Sequence, residues 1–260
     1  AYSSIRRLFA GRSYQQIVVC GFPRSGTSLL YNMLSSTLDG FSCEDFEVYS
    51  VFRMHRLGDI ATKAPLDILN IKYLDSLNIH NKDILVLVVI RDPRDLITSK
   101  HPIKADEYFI GYDNSWWPQN KSFDEWSYDA PGILEIYNEI AELQGRHGLK
   151  LIKYEDLVAD PDKVQQSLVD CGVDFSCLFS GYHRDKSKHA YRYDGAKKPN
   201  DPSLVFEGQQ VTAERVSRWK RQENRMRVAQ QFNACSALYD VLEELGYEKN
   251  NDWFKEYEDL

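Results

Sequence analysis

Short apolar runs recur along this chain, and each is followed by a stretch in which apolar residues return every three or four positions. The runs at 16–22, 83–90 and 149–154 have the length and the β-branched content of buried strands. Because these strands alternate with helical patterns, the sequence predicts an α/β fold in three layers, with a mostly parallel central sheet flanked by helices. No shift in composition marks a domain boundary, so a single domain is predicted for residues 1–260.

The predicted helices begin at recognisable signals. A helical pattern starts at Gly26 and runs to about residue 37, while Asp92 and Asp160 each stand before a proline, as an N-cap residue does before a proline at the first helical position. The helix that follows Asp92 is expected to reach Lys100. Further helices are predicted at 133–145, from Asp160 to about Gly172, after a Thr212 cap, and as one long final helix ending at Gly246.

Residues 101–132 interrupt this alternation because they concentrate aromatic side chains without a clear period. The aromatic positions are Tyr108, Phe109, Tyr112, Trp116, Trp117, Phe123, Trp126 and Tyr128. So many rings rarely stay solvated, and an ordered excursion from the sheet is therefore predicted. Such a segment suits a ligand site, but a satellite hydrophobic cluster under a long loop is an equal alternative.

Composition narrows the class of protein. Hydrophobic residues make up 43% and charged residues 27% of the chain, which is typical of a globular protein. The net charge of −7 disfavours general nucleic-acid binding. The longest apolar run, 84–90, is far shorter than the roughly 20 residues that span a bilayer. Five scattered cysteines without a CxxC spacing predict free thiols and no zinc site.

The first residues give an expectation about location. Residues 1–11 are basic and only partly apolar, which is not the pattern of a signal peptide. A cytoplasmic protein is therefore expected. Since the chain starts without Met, the luminal domain of a trimmed Golgi-type protein is the alternative. The sequence predicts no oligomeric state.

The first chemical signal is the segment GFPRSGTS from Gly21 to Ser28, which joins a predicted strand to a predicted helix. Backbone N–H groups and a helix N-terminus bind phosphate in this context. The glycine spacing equals that of the nucleotide P-loop, GxxxxGK[ST], but Thr27 stands where that motif has lysine, so contact with the β- and γ-phosphates of a triphosphate is lost. Arg24 supplies positive charge instead. The loop therefore favours one phosphate with a charged group attached over a magnesium triphosphate.

The second signal, RDPRDLITS, follows the strand that ends at residue 90. The carboxyl ends of parallel strands face the ligand crevice, so Arg91 is positioned to meet an anion with both arms of its guanidinium. Ser99, about two helical turns further on, can offer its hydroxyl to the same side. A salt bridge with Asp92 or Asp95 is an equally good interpretation of Arg91.

Together these motifs resemble the sulfotransferase family, whose members use 3′-phosphoadenosine 5′-phosphosulfate (PAPS). PRSGTSLL resembles the family's 5′-phosphosulfate loop, and RDPRD with Ser99 resembles its 3′-phosphate site. KYEDL at 153–157 and Arg218-Trp219-Lys220 are weaker matches, in the family's order. The resemblance implies a P-loop-like fold, transfer of a sulfuryl group to an acceptor, release of 3′-phosphoadenosine 5′-phosphate (PAP), and no metal.

The resemblance also implies roles for individual residues. Arg24 would neutralise the leaving phosphate, and Tyr154 matches a tyrosine that contacts adenine. Arg218 and Lys220 would close over the nucleotide, although a solvated helix face explains them as well. The residues expected to bind PAPS are Arg24, Ser25, Gly26, Thr27, Ser28, Arg91, Ser99, Tyr154, Arg218 and Lys220.

An acceptor hydroxyl also needs a base. Family members with a carboxylate base carry it after the first helix, which points to Glu44 first and to Glu47 as its competitor. Lys63 is a candidate contact for the sulfonate, although a surface lysine is equally plausible. The segment that carries the histidine base of cytosolic members matches this sequence only weakly, around Lys63, so the resemblance implies no histidine base. His55 and His101 are weak candidates for a base.

Two departures from the family pattern stand beside these matches. First, Arg24 stands where many eukaryotic cytosolic members have lysine, as it does in bacterial and carbohydrate-type members. Second, the Arg-Lys-Gly loop with which the cytosolic members bind the 3′-phosphate is not evident in this sequence. The acceptor is expected to be a carbohydrate or another hydroxylated metabolite, with an amine acceptor less favoured, and the aromatic segment at about 101–132 is the candidate acceptor site. The rivals are a P-loop nucleotide kinase, which would need magnesium and ATP, and a non-catalytic relative that binds a nucleotide or a glycan.

Overall fold

The computed structural model describes residues 13–44, 46–101, 106–118, 126–145, 148–184 and 211–257. Within these ranges the strands are β1 (Gln15–Gly21), β2 (Ser42–Cys43), β3 (Ile60–Lys63), β4 (Asp83–Ile90), β5 (Asn114–Pro118), β6 (Trp126–Pro131) and β7 (Lys150–Lys153). The helices are α1 (Thr27–Thr37), α2 (Leu74–Leu77), α3 (Pro93–Ile97), α4 (Ile133–Leu143), α5 (Tyr154–Ala159), α6 (Pro161–Val169), α7 (Gln222–Ala234) and α8 (Ala237–Glu244). Single 3₁₀ segments lie at Ser50–Phe52, Pro65–Tyr73, Phe179–Arg184, Ala213–Arg215, Arg218–Lys220 and Asp252–Tyr257.

A five-stranded, wholly parallel sheet forms the centre of the molecule, in the order β2-β3-β1-β4-β7. This confirms the predicted α/β class and all three predicted strands. Two strands of this sheet were not predicted, β2 because it has only two residues and β3 because IATK is short and half polar. Strand order reverses at β1, since the chain continues to β3 on one side and to β4 on the other. In open parallel sheets such a reversal opens a crevice at the carboxyl ends of the strands.

The two faces of the sheet carry separate cores, which explains why β1 and β4 are apolar at nearly every position. Val18 and Cys20 point with Val88 toward the helices α4, α7 and α8. Ile17 and Val19 point the other way, toward α1, α5 and α6. Because successive side chains on a strand face opposite sides, a strand covered on both faces must be apolar throughout.

Several predicted helices differ from the observed ones. The helix after Asp92 begins as predicted, with the Asp92 carboxylate accepting from Arg94 N at 2.9 Å, but it ends at Ile97 instead of Lys100. The predicted final helix is broken, because Cys235 is extended and separates α7 from α8. The residues after Thr212 form only 3₁₀ turns, without a side-chain cap. Asp160 caps α6 as predicted, through a bond from Lys163 N at 3.0 Å.

The aromatic excursion is ordered where it is described. β5 and β6 form an antiparallel pair that lies outside the main sheet, and Trp116 is buried there. His101 is also buried and stacks on Phe109, with ring centroids 5.5 Å apart. The central part of the excursion, 119–125 with Phe123, lies outside the described residues. No helix in the described ranges is long and apolar enough to cross a membrane.

One buried carboxylate lies beneath the segment that joins β2 to β3. Asp67 is fully buried and accepts hydrogen bonds from Ser50 N at 2.7 Å and from Asn70 Nδ2 at 3.5 Å. Burial raises the pKa of Asp67 from 3.8 to about 6, because the low-dielectric surroundings disfavour its charged form. The neutral form therefore fits the native state better than the ionised form.

We expect Asp67 to make stability depend on pH. The folded-state pKa lies above the unfolded value, so a stabilising contribution present below pH 4 is lost as the pH rises through 6. Asp67→Asn, which keeps an acceptor for Ser50 N, should gain about 2 kcal/mol relative to wild type between pH 4.5 and 7.5. Urea unfolding at the two pH values measures this gain, with exposed Asp75→Asn as the control. An equal difference at both pH values would contradict it.

Candidate active site

Four neighbouring strand ends meet at the carboxyl edge of the sheet. β1 leads into the loop from Gly21 to Ser28, β3 ends at Lys63, β4 is followed by Arg91, and β7 is followed by Tyr154. The register brings these ends to one level, because Val19 pairs with Lys63 and Gly21 with Val89. The parallel topology thus gathers residues that are far apart in the sequence into one crevice.

Both glycines of the loop are required by close contacts. Gly21 has φ 128°, and a Cβ there would lie 2.3 Å from Val89 O. Gly26 has φ 105°, and a Cβ there would lie 2.6 Å from Cδ2 of Tyr154. Arg24 also has a positive φ of 68°, a conformation that costs a non-glycine residue energy. The loop is therefore bent tightly over the ends of β1 and β4, with an arginine at its strained position.

The N-terminus of α1 is uncapped among the described residues. Gly26 precedes the helix without a side-chain cap, and no acidic residue lies in the first turn. The positive end of the helix and its unpaired N–H groups favour an anion there. Ser25 is fully buried, and its Oγ has no hydrogen-bond partner among the described residues. A phosphate oxygen in this cradle would satisfy these donors, so the residues fit the group that the sequence predicts.

Arg24 is held by neutral partners. Its Nε donates to Ser99 Oγ at 3.3 Å, and its Cζ lies 5.6 Å from the ring centroid of Phe109. The pKa of Arg24 is lowered to about 10, chiefly by burial and then by the charges of Arg215, Arg91 and Arg218 in that order. At neutral pH the guanidinium remains charged, in surroundings that would be stabilised by a bound anion.

Arg91 lies beside the loop but is already engaged. Its guanidinium donates to Asp95 at 3.2 Å, to Arg24 O at 3.4 Å, and in a very short contact to Arg215 O. It stacks 4.5 Å from the ring centroid of Tyr154. Its Nε has no partner among the described residues, which leaves one donor for a ligand. The salt bridge with Asp95, one of the two sequence interpretations, is therefore present, while Arg91 lies at the carboxyl end of β4 with both terminal nitrogens bonded to protein.

The second arginine of the RDPRD motif has a different place. Arg94 is buried away from the crevice, pairs with Asp92 at 2.8 Å and Glu248 at 2.6 Å, and stacks 3.8 Å from the ring centroid of Trp219. Trp219 itself is buried. Arg94 therefore joins the motif to the C-terminal part of the chain.

Asp95 fastens that C-terminal part to the crevice. Its buried carboxylate accepts from Ser217 N at 2.9 Å and from Trp219 N at 3.0 Å, besides Arg91. Burial raises the pKa of Asp95 more strongly than Arg91 lowers it. The bonds from Ser217 N and Trp219 N hold Arg215 and Arg218 close enough to Arg24 for their charges to lower its pKa. Sequence reasoning singled out Arg218 but missed Arg215, since a lone arginine in an irregular segment carries no motif.

On the other side of the loop, Lys63 and Glu47 form an ion pair. Lys63 is 2% exposed, whereas the Glu47 side chain is 45% exposed. Val48 N donates to Lys63 O at 3.1 Å, which holds the residue after Glu47 against the end of β3. A half-exposed carboxylate therefore lies at the same sheet edge as the loop from Gly21 to Ser28, which we call the phosphate loop.

Glu44 has different surroundings. Its Oε1 accepts from Arg53 Nε at 2.5 Å and from Arg56 Nη1 at 2.6 Å, and its Oε2 accepts from Arg53 Nη2 at 3.3 Å. The hydroxyl of Tyr31 contacts the Glu44 backbone, with the amide donating at 2.7 Å. Glu44 therefore connects the end of β2 to Arg53 and Arg56 through hydrogen bonds.

The structure thus gathers most of the predicted residues but not all. The residues that lie around the strand ends are Arg24, residues 25–28, Lys63, Arg91, Ser99 and Tyr154. Lys220 is exposed and lies 5.3 Å from the ring centroid of Trp219, its only described side-chain contact. Tyr154 is buried beneath Arg91 and against Gly26, so its ring face is already covered by protein.

The arrangement concentrates positive charge at one edge of the sheet. The charges of Arg91, Arg215 and Arg218 act on Arg24, and Asp95 pairs with Arg91. The helix N-terminus adds a further positive end. Such a site can bind a phosphate or sulfonate and stabilise negative charge that develops on it.

Solved structures resemble this chain distantly. A mouse sulfotransferase, SULT7A1, complexed with PAP has 13% identity and a TM-score of 0.49, over 90% of this chain and 89% of that one. A sulfotransferase domain from the Synechococcus PCC 7002 olefin synthase has 16% identity and a TM-score of 0.42, over 85% and 94%. One from the curacin biosynthetic pathway has 16% identity and a TM-score of 0.45, over 85% and 98%.

Comparison of sequences gives the family. No curated protein matches this chain significantly. A family model described as the sulfotransferase domain matches residues 14–176, a range that begins just before β1 and contains the phosphate loop, Lys63, Arg91, Ser99 and Tyr154. Because this match covers well over half of the chain, the protein belongs to the sulfotransferase family, whose members transfer a sulfonate group.

Proposed function

We propose that this protein transfers the sulfonate of PAPS to an acceptor hydroxyl. The observation that carries the proposal is Arg24, a charged guanidinium at the phosphate loop whose described partners are all neutral. PAPS presents a phosphosulfate and a separate 3′-phosphate, and the crevice offers a loop at the end of β1 and Arg91 at the end of β4. These two positive sites match the two anionic ends of the donor.

In this proposal the donor side works by positioning and by electrostatics. The bond between sulfur and the bridging oxygen breaks, so negative charge grows on the 5′-phosphate of PAP. Arg24 and the N–H groups at the start of α1 stabilise that charge. Ser25, Thr27 and Ser28 contribute hydroxyl groups. Arg91 and Ser99 bind the 3′-phosphate, while Tyr154 supports Arg91 from below rather than stacking on adenine. Arg218 adds positive charge, and Lys220 contributes least.

On the acceptor side, Glu47 is the base in this proposal. As the acceptor oxygen forms its bond to sulfur, its proton passes to the Glu47 carboxylate, and the products are a sulfate ester and PAP. Glu47 is half-exposed at the sheet edge, and Lys63 is buried beside it, where its charge can also meet the sulfonate. Glu44 is the weaker candidate because both of its oxygens accept bonds from arginines.

The acceptor in this proposal is a carbohydrate or another hydroxylated metabolite, and an amine acceptor, giving a sulfamate, is the minor alternative. A nucleotide kinase is disfavoured because Thr27 stands where a triphosphate site needs lysine. A binding protein without turnover is disfavoured by the paired Glu47 and Lys63, since a site that only held a nucleotide would not need them.

Calorimetry tests the donor. We expect PAP to bind in preference to ATP with magnesium, because the site lacks the P-loop lysine. Arg91→Lys should weaken PAP binding by about tenfold or more, since lysine keeps the charge but loses the planar guanidinium fork. Arg56→Lys, outside the crevice, is the matched control. Tighter binding of ATP with magnesium would replace the proposal with the kinase, and binding of neither would refute it.

Arg24→Ala tests the leaving-group role. Turnover of PAPS should fall by about 10²- to 10³-fold, because charge that develops only in the transition state loses its partner. The PAP dissociation constant should rise far less, since the helix N-terminus and Arg91 remain. Steady-state kinetics and calorimetry on the same preparation measure both. Equal losses in turnover and affinity would assign Arg24 to ground-state binding.

Glu47→Gln and Glu44→Gln separate the two candidate bases. With PAPS and the acceptor that turns over fastest in a panel of sugars, phenols and alcohols, Glu47→Gln should lower kcat by about 10²- to 10⁴-fold. Glu44→Gln should keep kcat within a few fold but lower the melting temperature, because two arginines lose their partner. The reverse pattern of kcat values would return the base to Glu44.

A further inference from the structure

Among the described residues, the aromatic segment contacts the phosphate loop at Arg24. Phe109 N donates to Ser99 O at 2.9 Å, so the two backbones run side by side. Ser99 Oγ and the Phe109 ring then both contact the Arg24 guanidinium, at 3.3 Å from Nε and 5.6 Å from Cζ to the ring centroid. One short backbone pairing therefore places a hydrogen-bond acceptor and a ring face against the same arginine.

The Phe109 ring is itself held by a stack of buried aromatic side chains. His101 lies parallel to it, with centroids 5.5 Å apart and an interplanar angle of 9°. Trp116 packs on His101 at 5.2 Å, and Trp116 N donates to Phe109 O at 3.0 Å. His101 and Trp116 are 2% and 5% exposed. The ring that faces Arg24 is therefore backed by packed protein and has little freedom to move.

The chemistry of these partners matters because Arg24 lies in a repulsive field. The charges of Arg215, Arg91 and Arg218 all act against its own charge. A carboxylate could hold Arg24 in place, but it would neutralise the group and compete with a ligand anion. A ring face and a hydroxyl attract the guanidinium without cancelling its charge. These two partners keep the Arg24 guanidinium in place and leave its charge available to a ligand anion.

We propose that Phe109 is a positioning residue that holds Arg24 toward the leaving-group oxygen of the donor. The proposal rests on the proposed function, because it assumes that Arg24 acts on that oxygen. It gives the aromatic segment a task on the donor side, besides any contact that it makes with the acceptor. The ring acts through Arg24 alone and makes no contact with the reacting atoms.

The test uses PAPS with water as the acceptor, so that no unidentified acceptor enters, and measures release of PAP in a single turnover. Phe109→Leu keeps an apolar side chain but removes the ring face, and it should slow PAP release by about 3- to 30-fold. Phe109→Tyr restores the ring and should recover most of the rate. The PAP dissociation constant should change less than about twofold in both variants, since Arg91 and the helix N-terminus are untouched.

A double-mutant cycle asks whether Phe109 acts through Arg24. In an Arg24→Ala background, Phe109→Leu should have no further effect on the rate, because the group that the ring positions is gone. If the rate losses caused by the two single substitutions multiply in the double variant, the proposal is overturned and Phe109 is an independent contact. A Phe109→Leu variant with a lower melting temperature but an unchanged rate would also overturn it, as a purely structural residue.

The outcomes separate this proposal from the proposed function. If the wild-type protein neither binds PAP nor releases it from PAPS, the proposed function fails first. If the wild type does both and Phe109→Leu releases PAP at the wild-type rate, only the role of Phe109 fails.

Discussion

Repulsion among guanidinium groups at the carboxyl edge of the sheet is the constraint on which this structure depends. The charges of Arg91, Arg215 and Arg218 all act on Arg24, and the carboxylate of Asp95 pairs with Arg91. Like charges in a partly desolvated crevice are costly unless an anion joins them. The fold tolerates that cost through Asp95, which binds Arg91 and two backbone amides of the C-terminal segment at once. A single buried carboxylate thereby links the strand ends to the end of the chain.

The two sides of the phosphate loop are built on opposite electrostatic principles. Toward β4, the charges of Arg91, Arg215 and Arg218 act on Arg24, whose guanidinium is held by a hydroxyl and an aromatic ring. Toward β3, carboxylates meet the cations directly, because Glu47 pairs with Lys63 and Glu44 pairs with Arg53 and Arg56. In the proposed function, the side toward β4 binds the anionic donor and the side toward β3 accepts the proton of the acceptor. The order of the strands places these two sides on either side of β1.

Long-range packing also explains why the RDPRD motif contains two arginines with unlike fates. Arg91 follows β4 directly and turns into the crevice, whereas Arg94, one helical turn later, is buried under Trp219 and paired with Glu248. Arg91 precedes the N-cap residue Asp92 and continues from β4, whereas Arg94 lies in the first turn of α3, so the two side chains take different directions. Arg91 pairs with one carboxylate and stacks on one ring, whereas Arg94 pairs with two carboxylates and stacks on two rings.

The sequence by itself determined the α/β class, the main strands, the phosphate loop and the family, because these depend on local signals: β-branched runs, a glycine spacing, and a proline after an N-cap aspartate. It also named Arg24, Arg91 and Ser99, since each follows a strand or lies within a turn or two of one. Tertiary structure alone decided what those residues touch. The choice between Glu44 and Glu47 depends on Arg53, Arg56 and Lys63, which reach them across loops. Arg215 lies near Arg24 because Ser217, two residues later, is bonded to Asp95, which is more than one hundred residues away in the sequence. Such contacts leave no pattern in a sequence, because they arise only when the sheet brings distant segments to one edge.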